Sequence, residues 1–188
     1  MSKKVRVLSI DGGGIRGIIP AMLMAEIERR AGRPIAELFD LIAGTSTGGI
    51  LALAAVKPAA KGNKAKPQFK AEEMVALYET EGARIFHRTA WQLVRTVGGM
   101  LDERYPIEGI ESVLEEYFGE TMLSDALTTV VVTSYEIERR TPFFFKSAKA
   151  KLNAADDCFM RHAARATSAA PSYFEPARIC TGAATYSL

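Results

Sequence analysis

The sequence predicts an α/β layered fold with a largely parallel sheet, and three observations carry that reading. Two glycine-rich loops, 11–17 and 44–49, each follow a short apolar run and precede a helical one. The elements alternate strand and helix along the first part of the chain instead of segregating by type. Apolar residues make up 48% of the 188 and charged residues 24%, the balance of one compact domain that buries ~70% of its unfolded surface.

Val5–Ile10 reads as a strand that stops abruptly at Asp11-Gly12-Gly13-Gly14-Ile15-Arg16-Gly17. A helix follows over residues 17–31, with Ile19, Leu23, Ile27 and Arg30 at helical spacing, Pro20 tolerated in the first turn and Gly32 as the stop. Leu38–Ala43 is a buried strand that ends at Gly44-Thr45-Ser46-Thr47-Gly48-Gly49. Ile50–Val56 is apolar on every side, which predicts an interior helix, stopped by Lys57-Pro58. The stretch 57–70 reads as an exposed basic loop inserted into the domain. Amphipathic helices are expected over 72–86 and 107–118, and the β-branched run 127–135 is a central strand. A strand over 142–146, a helix over 156–170 stopped by Pro171, and a final strand over 183–188 complete the series.

Charge and cysteine usage narrow the function classes. A formal charge of +2 gives no electrostatic footprint for nucleic acid. The five lysines between Asp40 and Glu72 could attract an anionic membrane, at roughly 1 kcal/mol each near the surface. Two cysteines, Cys158 and Cys180, make no disulfide framework and fit a reducing compartment. The N-terminal residues lack the uninterrupted apolar run of a signal peptide, and no stretch reaches the ~20 apolar residues of a membrane span. A cytoplasmic protein is expected.

Gly12-x-Gly14-x-x-Gly17 matches a dinucleotide fingerprint, but the second strand ends in Ala43-Gly44 with no ribose-binding acid there. Ile10–Gly14 also resembles the first phosphate loop of actin-like sugar kinases and ATPases, which continue into a hairpin; Pro20 and the helical spacing oppose that continuation. Gly44-Thr45-Ser46-Thr47-Gly48 is a GxSxG sequence between an apolar strand and a buried helix, the setting of a nucleophile elbow. There Ser46 projects from a tight turn at the positive end of a helix, where an oxyanion is favoured. Adjacent parallel strands open on one edge, so the Gly12–Gly14 amides could face Ser46.

Together with Ala164-Arg165-Ala166-Thr167-Ser168-Ala169-Ala170-Pro171-Ser172-Tyr173-Phe174, the two loops resemble the patatin-like phospholipase family over nearly the whole chain. The resemblance implies a three-layer α/β fold with a mostly parallel central sheet flanked by helices. It implies a lipid acyl hydrolase working through a Ser-Asp dyad without histidine or metal. Ser46 is then the nucleophile, Gly12, Gly13, Gly14 and Arg16 form or support the oxyanion hole, and Gly44, Thr45, Thr47 and Gly48 shape the elbow. No cofactor is implied. The partner is membrane phospholipid or another acyl lipid, with room for peripheral membrane contact and a homo-oligomer. The family's aspartate lies in an Asp-Gly-Gly or Asp-Gly-Ala motif soon after the Ala-Pro-x-Tyr-Phe segment. Residues 1–188 are therefore read as a single patatin-like domain, incomplete at its C-terminal side and of doubtful activity alone, or as a non-catalytic acyl-lipid-binding fragment.

A Ser46–Asp125–His162 triad of the α/β-hydrolase kind is the competing enzyme reading, opposed by the helical setting of His162. His87 reads as solvated or packed. The apolar stretch with Trp91, Leu93, Val94, Met100 and Leu101 reads equally as core or as a lid meeting lipid.

Overall fold

The computed structural model describes residues 4–60, 63–80, 107–170, 176–182 and 184–188. His87, the Trp91–Leu101 stretch and Tyr173-Phe174 lie outside the described residues, as do Lys61, residues 81–86 of the expected helix and Ala183 of the last strand.

Four strands form the central sheet in the order β1 (Val7–Ile10), β2 (Leu41–Thr45), β5 (Thr129–Glu136) and β6 (Thr141–Lys146). The first three are parallel, with Ile10 level with Gly44 and Thr45 level with Thr133, and β6 returns antiparallel to β5. The sheet is thus mostly parallel, as the alternating pattern predicts. Helix α1 (Ile18–Ala31) and the short α2 (Ile35–Leu38) connect β1 to β2, and α3 (Thr47–Val56) leaves β2 directly. Parallel neighbours require such crossovers.

Helix α3 is buried along most of its length, and its residues Leu51, Leu53 and Val56 belong to the same core as Ile42, Val130 and Val132 of the sheet. An all-apolar segment can take only such an interior place. Around it stand α4 (Ala71–Thr80), α5 (Ile107–Phe118) and α7 (Met160–Thr167). The short α6 (Ser147–Leu152) follows β6, and β7 (Arg178–Cys180) pairs antiparallel with β8 (Thr185–Ser187). Val7, Tyr135 and Phe144, whose side chains share the opposite sheet face by strand alternation, are about half exposed.

Three expectations fail. The helix expected over 156–170 runs only from Met160 to Thr167, because Asp156 closes a separate 3-10 turn and Asp157 and Phe159 are extended. The predicted strand Leu38–Ala43 begins three residues later, because Leu38 closes α2, and it runs through Gly44 to Thr45. The stretch 57–70 is not a solvated loop: β3 (Pro58–Ala60) and β4 (Asn63–Pro67) form an antiparallel hairpin. Lys57 is buried, its Nζ donates to the Tyr117 carbonyl and lies 5.4 Å from the Phe69 ring centroid, and burial lowers its pKa. An ammonium over a ring face with one backbone acceptor is how a lysine tolerates an interior place. Only Lys66 and Lys70 of this group are seen to be exposed among the described side chains.

Candidate active site

Ser46 is the single residue between β2 and α3, and it sits at φ 55, ψ −125. A non-glycine residue takes that conformation only where its surroundings impose it, and such strain gathers at functional turns. Five hydrogen bonds hold it here. The Ser46 N–H donates to Thr167 Oγ1 of α7 at 2.7 Å. The Ser46 carbonyl accepts from the Gly49 and Ile50 amides at 2.8 and 3.1 Å. On one side Thr45 Oγ1 meets Thr133 Oγ1 at 2.7 Å, and on the other Thr47 Oγ1 is hydrogen-bonded to the Tyr78 hydroxyl. Burial pushes the Tyr78 pKa up to about 12, so this hydroxyl stays protonated at every physiological pH.

The glycines of this turn are places where backbone meets backbone. A Cβ at Gly44 would strike the Gly48 carbonyl, and one at Gly48 would strike the Ile10 carbonyl of β1. At Gly49 a Cβ would stand 2.8 Å from Thr167 Cγ2, so this glycine admits the helix that holds the Ser46 amide.

The first loop lies against the second. A Cβ on Gly12 would be 3.0 Å from Ser46 Cβ and 3.0 Å from the Thr45 carbonyl oxygen. Gly13 and Gly14 are partly exposed, Gly14 has φ 58, and neither of their amides donates to another described residue. Arg16 is exposed and turns back on its own loop: its amide donates to the Gly13 carbonyl at 3.2 Å and its Nε reaches the same oxygen at 3.5 Å. The two loops and the N-terminal turn of α3 therefore share one sheet edge with a partly exposed serine.

The competing triad does not assemble. Asp125 precedes β5, at the opposite edge of the sheet from Ser46, and its carboxylate accepts from the Met122 amide at 3.3 Å. His162 lies in the first turn of α7, more than one turn from Thr167, with its ring edge-on to Phe159 at 5.3 Å. Burial, then Arg161, lowers its pKa. Thr167, Thr133 and Tyr78 are the site residues that the sequence reading gave no role. Thr167 was visible only as part of the Ala164–Phe174 signature, and no local spacing links Thr133 or Tyr78 to Ser46. One turn beyond Ser46, Ile50 borders an apolar crevice with Phe69, Met74, Leu77, Ile110 and Phe118. Its volume is about 40 Å³.

A sequence model of the patatin-like phospholipase family matches residues 8–186. Patatin-like protein 2 of Oryza sativa subsp. indica is 35% identical over 181 residues, covering 92% of this chain and 44% of the relative. Patatin-17 of Solanum cardiophyllum is 36% identical over 183 residues, covering 94% of this chain and 45% of its own length. The chain thus spans less than half the length of these curated relatives. Among solved structures, the type III effector protein ExoU overlaps with a TM-score of 0.47 at 18% identity, covering 90% of this chain and 40% of that one. VipD from Legionella pneumophila overlaps with a TM-score of 0.44 at 12% identity, covering 98% of this chain and 45% of that one.

Proposed function

The chain belongs to the patatin-like phospholipase family, and from that premise we propose that it carries the nucleophile half of a lipid acyl hydrolase, with Ser46 as the attacking residue. The observation that carries this reading is the forced backbone of Ser46 at φ 55, pressed against Gly12 and standing at the N-terminus of α3. In the proposed step Ser46 Oγ attacks the acyl carbonyl carbon of a phospholipid or related ester. The carbonyl oxygen becomes an oxyanion, for which the Gly12–Gly14 amides supply donors and Arg16 steadies the loop. The C–O bond to the alcohol breaks, the alcohol leaves with a proton, and water then releases the fatty acid from the acyl-serine.

The base is a separate matter. Among the described residues, none makes a hydrogen bond to Ser46 Oγ, and a serine without a base forms too little alkoxide to attack an ordinary ester quickly. In this proposal an aspartate of the family's second Asp-Gly motif takes that role, and residues 1–188 alone react with activated acylating or phosphonylating reagents but turn over phospholipid slowly. Cysteine usage extends the proposal to action in the cytoplasm, at the membrane surface where the substrate lies.

The test is covalent. Incubation with a fluorophosphonate should add one label per chain, read by intact mass, and Ser46→Ala should remove it. Equal labelling of parent and Ser46→Ala would refute the assignment, and ATP binding through Asp11–Gly14 without labelling would favour the phosphate-loop reading.

A further inference from the structure

The two glycine loops meet inside the domain at one hydroxyl. Helix α4 lies along α1 and touches α3, and its last turn carries Tyr78, which is buried. The Tyr78 hydroxyl donates to the Thr47 carbonyl at 3.3 Å and, with its single proton so placed, accepts from Thr47 Oγ1. One phenol thus holds both the main chain and the side chain of the residue after Ser46. The first loop closes on the same point. A Cβ at Gly17, the buried last residue of that loop, would stand 2.7 Å from the Tyr78 hydroxyl oxygen and 2.8 Å from its Cε1, and would strike Thr47 Oγ1. Position 17 is bare because this pair fills the space that a side chain would need.

Resting on the roles proposed above for Ser46 and the Gly12–Gly14 amides, we propose that Tyr78 is a positioning residue of the acyl-transfer site. Its hydroxyl holds Thr47 beneath the end of the first loop, and so sets where the loop's amide donors stand relative to Ser46. A phenylalanine would fill the same space but hold neither group of Thr47. The conformation of Ser46 at φ 55 persists only while its surroundings hold it, so a loosened Thr47 lets the serine relax. Donors aimed at a developing oxyanion lose their effect with small displacements. Burial keeps the proton on the Tyr78 hydroxyl, whose influence is therefore one of placement without a change of charge.

Fluorophosphonate labelling, followed by intact mass over a series of reagent concentrations, should show the maximal rate lowered about tenfold in Tyr78→Phe, the scale of one hydrogen bond, with the half-saturating concentration little changed. Thr47→Val should lower it equally and the double variant no further, since each removes the same bond. Leu77→Ala, beside Tyr78 on α4, should lose at least as much stability in urea and still label at the parent rate. Hydrogen exchange gives a reading that needs no chemistry at Ser46: in Tyr78→Phe the Ser46 and Arg16 amides should both exchange faster, while the Val130 amide keeps the parent's protection. A parent that takes no label refutes the role of Ser46, and the hold on the two loops is then decided by exchange. Unchanged labelling in folded Tyr78→Phe overturns the proposal. So does an equal slowing in Leu77→Ala, a double variant slowed by the product of the two single effects, or Ser46 and Arg16 amides that exchange as in the parent. If Tyr78→Phe does not fold, Thr47→Val carries the same comparisons.

Discussion

The two glycine loops at the sheet edge look alike in sequence and are held in different ways. In Gly44–Gly49 a side chain at Gly44 or Gly48 would collide with main-chain carbonyls, and Thr45, Ser46 and Thr47 each hold a hydrogen bond to another element. In Asp11–Gly17, Gly12 is pressed against Ser46, but a Cβ at Gly13 would meet nothing nearer than Arg16 Cβ at 3.6 Å. Gly13 has φ 165 and ψ 20, outside the helical and extended regions. The elbow's glycines are demanded by packing. The glycine at 13 is not demanded by space, and a small residue there keeps its amide accessible.

The sharpest way to break this contrast is Gly48→Ala. Backbone cannot yield as a side chain does, so we expect a loss of about 3 kcal/mol or more, beyond ordinary overpacking, or no folded protein, measured by urea unfolding. A stable Gly48→Ala protein would show that β1 and the elbow can separate. Gly13→Val is the counterpart: a smaller loss of stability than Gly48→Ala, since no backbone atom blocks its Cβ, but phosphonate labelling slowed ~10²-fold, the scale for one lost oxyanion donor. Unchanged labelling in that folded protein would remove Gly13 from the proposed hole. The smallest effect lies outside both loops. His162 has its pKa held below 6.5, so its neutral form is favoured by folding and the unfolded chain binds the extra proton first. Its contribution is whole above pH 6.5 and is lost as pH falls below it. His162→Gln should flatten that part of the stability profile without altering the labelling rate of Ser46 at neutral pH.

Most of the framework was legible because local pattern and burial agree. Ile50–Val56 is apolar all round and becomes the central helix, and residues 107–118 show the periodicity of α5 and occupy its span. The hairpin Pro58–Ala60 with Asn63–Pro67 was not legible, since lysine, alanine and proline carry no alternation and its pairing rests on main-chain bonds. Lys57 misled for a related reason: a charged residue next to proline reads as solvated until Phe69 and the Tyr117 carbonyl are seen around it. Within the site, Ser46 and its glycines could be read because a tight turn fixes their spacing. Thr167 and Thr133 could not be given roles, because they reach the turn from other elements and only the fold sets that distance.

The bond between the Ser46 amide and Thr167 spans 121 positions of sequence. A contact so distant forms late, after the intervening chain has been made and collapsed, because the entropy of closing that loop must be met by the core it encloses. During synthesis the segment that holds Ser46 leaves the ribosome long before Thr167 does. Until α7 arrives, nothing fixes the serine's amide, and the turn is free to relax out of its strained conformation. For the role proposed above this makes a nascent chain latent: it carries the sequence around Ser46 but not its geometry.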